Sequence, residues 1–170
     1  MKKVTFNTQY GQLAAALAGK KTQFHNVENQ LARLLERDFA SQKVVTSQWI
    51  DGECLLAIRL DGGEVVEHRP NYALGEMVEV EDTDARIRIT GIRVERLCNL
   101  TRNDFFAEGL DEFWMLGVHL YTYPLDNETH FINISYQLTW NNLLYRTLDP
   151  TIVVCNPYSV VYQFEKVDSL

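Results

Sequence analysis

Apolar and polar residues alternate most regularly within residues 74–110, and this segment organises the rest of the chain. Over residues 86–95 every second residue is apolar, with one change of phase at Gly91. Alternation with a period of two predicts a strand with one buried face, and a glycine at the phase change is typical of a β-bulge. Thr101 is a good N-cap, which predicts a short helix that ends at Gly109.

The same patterns predict the other elements, and residues 118–127 fit either a strand or a loop. Predicted helices cover residues 10–17, 27–39, 111–117 and 129–145. Predicted strands cover residues 3–6, 44–49, 55–60, 64–67, 77–80 and 158–164, and we expect the last to lie beside the first. Many short strands with a few helices indicate an α+β fold. A small mixed β-barrel with peripheral helices would leave no long exposed edges.

Length and composition predict one globular domain over residues 1–170. The chain is 46% hydrophobic and 23% charged, which is ordinary for such a domain. No apolar run approaches the roughly 20 residues that span a bilayer, and no apolar segment follows Lys2 and Lys3. We therefore expect a cytoplasmic protein without membrane contact. The three cysteines lie far apart in sequence, which favours buried reduced thiols over disulfides or a metal site.

The formal net charge of −7 argues against binding of long nucleic acid, because phosphates are neutralised by clustered lysine and arginine. It leaves open a local pocket for one nucleotide or a short RNA loop. The negative net charge also favours a protein that binds a basic surface of a partner. Four arginines along the predicted long strand, at 86, 88, 93 and 96, fit either a solvated face paired with Glu79 and Glu81 or a binding stripe.

Most catalytic and metal-binding motifs are missing from the sequence. No two histidines have the HxxxH spacing, GxSxG is absent, and Gly62 and Gly63 fit a hairpin turn better than a phosphate loop. We therefore predict neither a metal nor a cofactor. Lys21 follows a helix-ending glycine, and Glu108 precedes another. If they converge they can polarise a carbonyl and move a proton; otherwise they are two surface charges.

Four segments carry a resemblance to a known family. They are FNTQYGQLAAALAGKKTQ (6–23), PNYALGEMVEVE (70–81), ITGIRVERLCNLTRNDFFAEGL (89–110) and NPYSVVYQFE (156–165). In this order they resemble the ASCH domains of the PUA-like superfamily, especially the short ASCH-like proteins of phages and prophages. Residues 25–69 match less well and are expected to be a family-atypical insertion or a rebuilt surface.

The resemblance implies a PUA-like β-barrel with a cleft that binds RNA or a modified nucleobase. Some small ASCH proteins remove the acetyl group from acetylated cytidine with a lysine, a threonine and a glutamate. Lys21 and Glu108 match the lysine and the glutamate, whereas Phe24 stands at the position of the threonine and has no hydroxyl. Whether the chain is an enzyme therefore stays open.

Three functions follow as hypotheses. The preferred one is a module that binds RNA or a nucleotide-type small ligand, contacted by Lys21, Thr22, Gln23 and Glu108 and stacked on Tyr72. The second is an amidohydrolase of acetylated cytidine that uses Lys21 and Glu108 as catalytic residues. The third is a phage anti-defence protein in the host cytoplasm, whose acidic surface binds a basic host protein.

Overall fold

The computed structural model describes residues 1–125 and 129–167 as a mixed α+β fold, which confirms the predicted class. The helices are α1 (Gln12–Leu17), α2 (Asn29–Asp38), α3 (Arg102–Ala107), α4 (Tyr136–Thr147) and α5 (Pro150–Cys155). The strands are β1 (Lys3–Val4), β2 (Gln23–Asn26), β3 (Val44–Ile50), β4 (Leu55–Leu60), β5 (Val65–His68), β6 (Met77–Val80), β7 (Arg86–Arg96), β8 (Asp111–Met115), β9 (Val118–Pro124), β10 (His130–Asn133) and β11 (Tyr158–Val167).

The largest sheet has the strand order β1-β6-β7-β11-β2, with β1 and β6 parallel and the other pairs antiparallel. Its longest pairing joins β7 to β11 and contains the predicted bulge. Gln163 lies opposite Gly91 and Phe164 opposite Ile89, so Thr90 is the extra residue. The amide end of the Gln163 side chain lies where a Cβ at position 91 would stand, so any other residue there would require this side chain to move.

Two three-stranded sheets complete the described fold, with orders β3-β4-β5 and β10-β9-β8. No single closed barrel forms among the described strands, so the barrel remains a prediction. The expectation that the last strand lies beside the first was wrong. β11 lies between β7 and β2, and β1 pairs with β6.

The helix prediction over residues 111–117 was wrong, and the one over residues 129–145 was right only for its second part. Residues 111–115 form β8, because Leu116 and Gly117, both with positive φ, turn the chain into a hairpin with β9. The predicted helix over residues 129–145 begins as β10, and α4 starts only after Ser135, whose side chain accepts the Leu138 N–H. Residues 118–124 are a strand, and residues 126–127 of the ambiguous segment lie outside the described residues.

Two apolar clusters form the interior. The first lies under the five-stranded sheet and includes side chains from α2 and β4, so residues 25–69 supply part of this core. The second joins β9 to α3, α4 and α5. The cysteine prediction was wrong for two residues, since Cys54 and Cys155 are exposed and only Cys98 is partly buried. No described helix has the length and apolarity required to cross a membrane.

A close approach of α1 and α3 precedes β2. The Thr22 N–H donates to the Ala107 carbonyl over 2.7 Å, and the Lys21 N–H donates to Ala15 over 3.0 Å. Gly109 follows α3 with φ +80°, and a Cβ there would lie 2.7 Å from the Ala15 Cβ and 2.9 Å from the Lys21 Cβ. Gly109 therefore allows both the left-handed turn and the contact between α3 and α1.

Gly109→Ala is expected to destabilise the fold more than Gly19→Ala. Both glycines have positive φ, at a cost of about 1–2 kcal/mol for alanine, but a Cβ at Gly19 meets no atom within 4 Å. Overpacking at Gly109 adds about 1–3 kcal/mol. Urea unfolding of both variants measures the difference. Equal losses would contradict the close packing at Gly109.

Candidate functional site

The centre of the candidate site is a buried ion pair between Lys21 and Glu108. Lys21 lies just before β2 and Glu108 is the C-cap residue of α3, and both side chains are 2% exposed. The Lys21 Nζ contacts Glu108 Oε2 and also donates to the Glu108 carbonyl over 3.3 Å. The sequence left open whether these two residues converge or are two surface charges, and in the fold they converge.

The helix that supplies Glu108 is held at both ends. Thr101 and Asp104 form a capping box at its start, in which each side chain accepts the other's backbone N–H. At its end the Glu108 N–H donates to the Asp104 carbonyl over 2.8 Å, and Gly109 turns the chain away. A six-residue helix is marginal in isolation, so these contacts and the buried Phe105 are what fix the carboxylate.

His25 is the third member of the centre. Its Nδ1 lies 2.7 Å from Glu108 Oε1 and its Nε2 lies 3.0 Å from Glu95 Oε1. Both neighbours are carboxyl groups, an arrangement that favours the protonated ring, in which both nitrogens donate. The Trp140 ring lies 5.2 Å from the imidazole, centroid to centroid, and helps to enclose it.

Burial and partner charges act against each other on the pKa values of this centre. Burial lowers the pKa of Lys21, and Glu108 opposes this only in part. Burial also disfavours protonated His25, but its hydrogen bonds to Glu108 and Glu95 outweigh this and raise its pKa. Burial favours protonated Glu108, yet the charge of Lys21 and the His25 hydrogen bond lower its pKa. Glu108 is therefore a carboxylate at neutral pH, in contact with two proton donors.

A chain of charged groups connects this centre to the protein surface. Glu95, which is 23% exposed, accepts hydrogen bonds from His25 and from Arg93. Arg93 also contacts Asp104 Oδ1 at 2.7 Å and the Gln23 amide oxygen at 3.3 Å. Acid–base groups thus follow one another from the buried carboxylate to the solvent.

A cavity of about 430 Å³ opens beside the ion pair. Small-molecule sites in proteins commonly enclose about 300–1,000 Å³. Lys21, His25 and Glu108 line the cavity together with the rings of Phe6, Phe24 and Trp140. The Lys21 ammonium lies 5.7 Å from the centre of the Phe6 ring. The cavity therefore combines a small charged cluster with flat apolar walls.

The five residues predicted to contact a ligand are not all gathered here. Lys21 and Glu108 line the cavity, and Gln23 joins the same network behind them through Arg93. Thr22 is exposed and Tyr72 lies elsewhere, and neither lines this cavity. The Tyr72 hydroxyl donates to the Lys3 carbonyl, and its ring packs edge-on against Phe24 and Tyr162.

Phe24, at the position of the family's threonine, is a core residue. Its ring stacks on Tyr162 with centroids 5.1 Å apart and contacts Phe6 edge-on at 5.8 Å. No hydroxyl can act from this position, and the acid–base group nearest in sequence is His25. Sequence reasoning missed His25 because histidines were tested only for metal spacing. In an extended chain, side chains four residues apart point to the same side. The four-residue spacing between Lys21 and His25 could therefore have predicted that these two side chains lie on the same side.

Three of the four arginines on β7 are paired with carboxylates. Arg88 contacts Glu165, Arg93 contacts Glu95 and Asp104, and Arg96 contacts Glu36. These partners are not the predicted Glu79 and Glu81. The pairing favours the interpretation of a charge-balanced strand face over a binding stripe.

Within residues 1–125 and 129–167, no three or more His, Cys, Asp or Glu side chains are arranged to hold a metal ion. No family model, curated protein or solved structure matches the chain. The function of the chain is therefore inferred from the geometry of its site.

The stabilising effect of His25 is expected to decrease as the pH rises. The raised pKa of His25 means that the folded state holds its proton more tightly than the unfolded chain, whose pKa is about 6.5. The contribution is complete below that pH and is lost as the pH passes the folded-state pKa. The free energy of unfolding of the native protein minus that of His25→Asn should therefore be largest near pH 6 and fall toward pH 9.

Urea unfolding at each pH measures this difference. His130→Asn, at an exposed position, is the matched control and should stay close to the native protein throughout. A difference between the native protein and His25→Asn that grows with pH would contradict the imidazolium assignment.

Proposed function

We propose that this chain is an ASCH-like, PUA-like module that binds a nucleobase, nucleoside or nucleotide, free or within a short RNA, in the cavity beside Lys21 and Glu108. The observation that carries the proposal is the opening of a buried ion pair onto a cavity with aromatic walls. The proposal includes a barrel-like arrangement of the sheets around the cleft and a location in the cytoplasm of a phage host.

The shape and chemistry of the cavity support a flat, polar ligand. RNA-binding proteins commonly take single unstacked bases against aromatic side chains and bind their edges with hydrogen bonds. Phe6, Phe24 and Trp140 supply apolar surface, and the Lys21–Glu108 pair supplies a donor and an acceptor side by side. The net charge of −7 disfavours a long phosphate backbone, which leaves one base or a short segment as the ligand.

Calorimetric titration with nucleosides, nucleotides and short RNAs tests the proposal. At least one should bind, and Lys21→Met/Glu108→Leu should weaken binding about tenfold or more. The double variant removes both charges of the pair, and His25 keeps Glu95 as its partner, so no buried ion is left unpaired. Lys20→Met is the control, since Lys20 pairs with Asp111 at the surface.

Failure of every compound to bind the native protein would contradict the proposal. Co-purification of a single basic host protein in that case would favour the anti-defence hypothesis.

An amidohydrolase is the second candidate, and the contact of Glu108 with both Lys21 and His25 favours it. Glu108 would take a proton from a water molecule as its oxygen attacks the acyl carbon, and Lys21 would stabilise the resulting oxyanion. Glu108 would then return the proton to the leaving nitrogen as the carbon–nitrogen bond breaks. The products from acetylated cytidine are acetate and cytidine. His25 would hold the carboxylate in place through Oε1.

Incubation with acetylated cytidine, followed by chromatography for cytidine, tests this candidate. Turnover should be lost in Lys21→Met and in Glu108→Gln, because each removes a group that acts on the reacting atoms. Lys20→Met should retain it. Absence of turnover in the native protein, or turnover that persists in Lys21→Met, would exclude the hydrolase and leave the binding module.

A further inference from the structure

Gln12 is a buried polar residue of the cavity that the site described above does not use. It is the first residue of α1, it is 8% exposed, and it lines the cavity. Its carboxamide makes no hydrogen bond within the described part of the chain. Its polar atoms are not sealed from solvent, so they are open to the cavity and to a molecule bound there.

The other buried polar groups on the cavity wall already have protein partners. Lys21, Glu108 and His25 bind one another. Thr147 Oγ1 donates to the Leu143 carbonyl over 2.9 Å. Gln12 therefore differs from its neighbours in having its donors and its acceptor available to a molecule in the cavity.

The charges on the wall are balanced. The basic groups that line the cavity are Lys21 and His25, and their partners are Glu108 and Glu95. Each of the two positive groups is paired with a negative group, so no unpaired cation is available to bind a phosphate. We therefore expect the part of a ligand that lies inside the cavity to be neutral.

We propose that Gln12 binds the base of the ligand, by forming a bidentate pair with a neutral base edge that carries a hydrogen-bond donor next to an acceptor. This inference rests on the proposed function and specifies its ligand. A carboxamide offers one oxygen acceptor and two N–H donors, which match the amide edge of uracil or guanine and the amino edge of cytosine or adenine. The base ring would lie among the aromatic walls, with the ribose toward the cavity mouth.

Titration of Gln12→Met with the nucleoside that binds the native protein tests the inference. Methionine keeps the length of the side chain and removes the amide, so the affinity should fall about 10- to 100-fold. N-methylation of the base at the paired edge should weaken binding to the native protein by a similar factor and have little further effect in Gln12→Met. Gln30→Met, at an exposed position outside the cavity lining, should bind as the native protein does.

Two further measurements separate ligand binding from a structural role. Without ligand, Gln12→Met should melt at the same temperature as the native protein or higher, because an apolar side chain replaces an unpaired amide. The 5′-monophosphate should bind within about threefold of its nucleoside, since the wall offers no free cation. A lower melting temperature, or a much tighter monophosphate, would overturn the inference.

The role of Gln12 can be wrong while the proposed function is right, and the experiments distinguish the two cases. If Lys21→Met/Glu108→Leu abolishes binding while Gln12→Met binds as the native protein does, the role of Gln12 is wrong and the binding module stands. If the native protein binds no nucleoside, nucleotide or short RNA, both are wrong.

Discussion

The fold around the site depends on how the Glu108 carboxylate is neutralised. A buried charge without a partner costs about 3–5 kcal/mol, so each Glu108 oxygen needs its own donor. Lys21 serves one oxygen and His25 serves the other. These donors flank the start of β2 and the acceptor ends α3, so the pairing fixes one element against the other. Gly109 is required for the same reason, because any larger residue would separate them.

The same arrangement explains why the cavity wall is both charged and stable. The imidazolium shares its charge between Glu108 and Glu95, and Glu95 reaches partly into solvent beside Arg93. His25 and Glu95 therefore connect the buried carboxylate to the solvent through hydrogen bonds. A binding module needs this network only for rigidity, whereas a hydrolase also needs it for proton balance. The two candidate functions thus place different demands on one set of contacts.

The sequence predicted elements where local pattern and tertiary packing agree. β7, with its bulge at Gly91, follows a strict alternation that the sheet preserves. Residues 111–117 were predicted as a helix, but the turn at Leu116 and Gly117 pairs them with β9 as a strand. β8 exposes Trp114 and Met115, so its apolar residues do not show the alternation that indicates a strand. Lys21 and Glu108 could be named from local context and family resemblance. Their contact, and the role of His25, depend on residues about 70–90 positions apart, which no local pattern records.

The position of β11 in the sheet determines when the site can fold during synthesis of the chain. β2 is an edge strand whose sheet neighbour is β11, and Asn26 pairs with Val160 across 134 positions. Such non-local pairing forms slowly. On the ribosome, the strand that carries His25 has no partner until residues 160–163 have emerged. β2 therefore lacks its sheet neighbour while the 134 positions between Asn26 and Val160 are synthesised, although Thr22 can bond to Ala107 as soon as α3 has emerged.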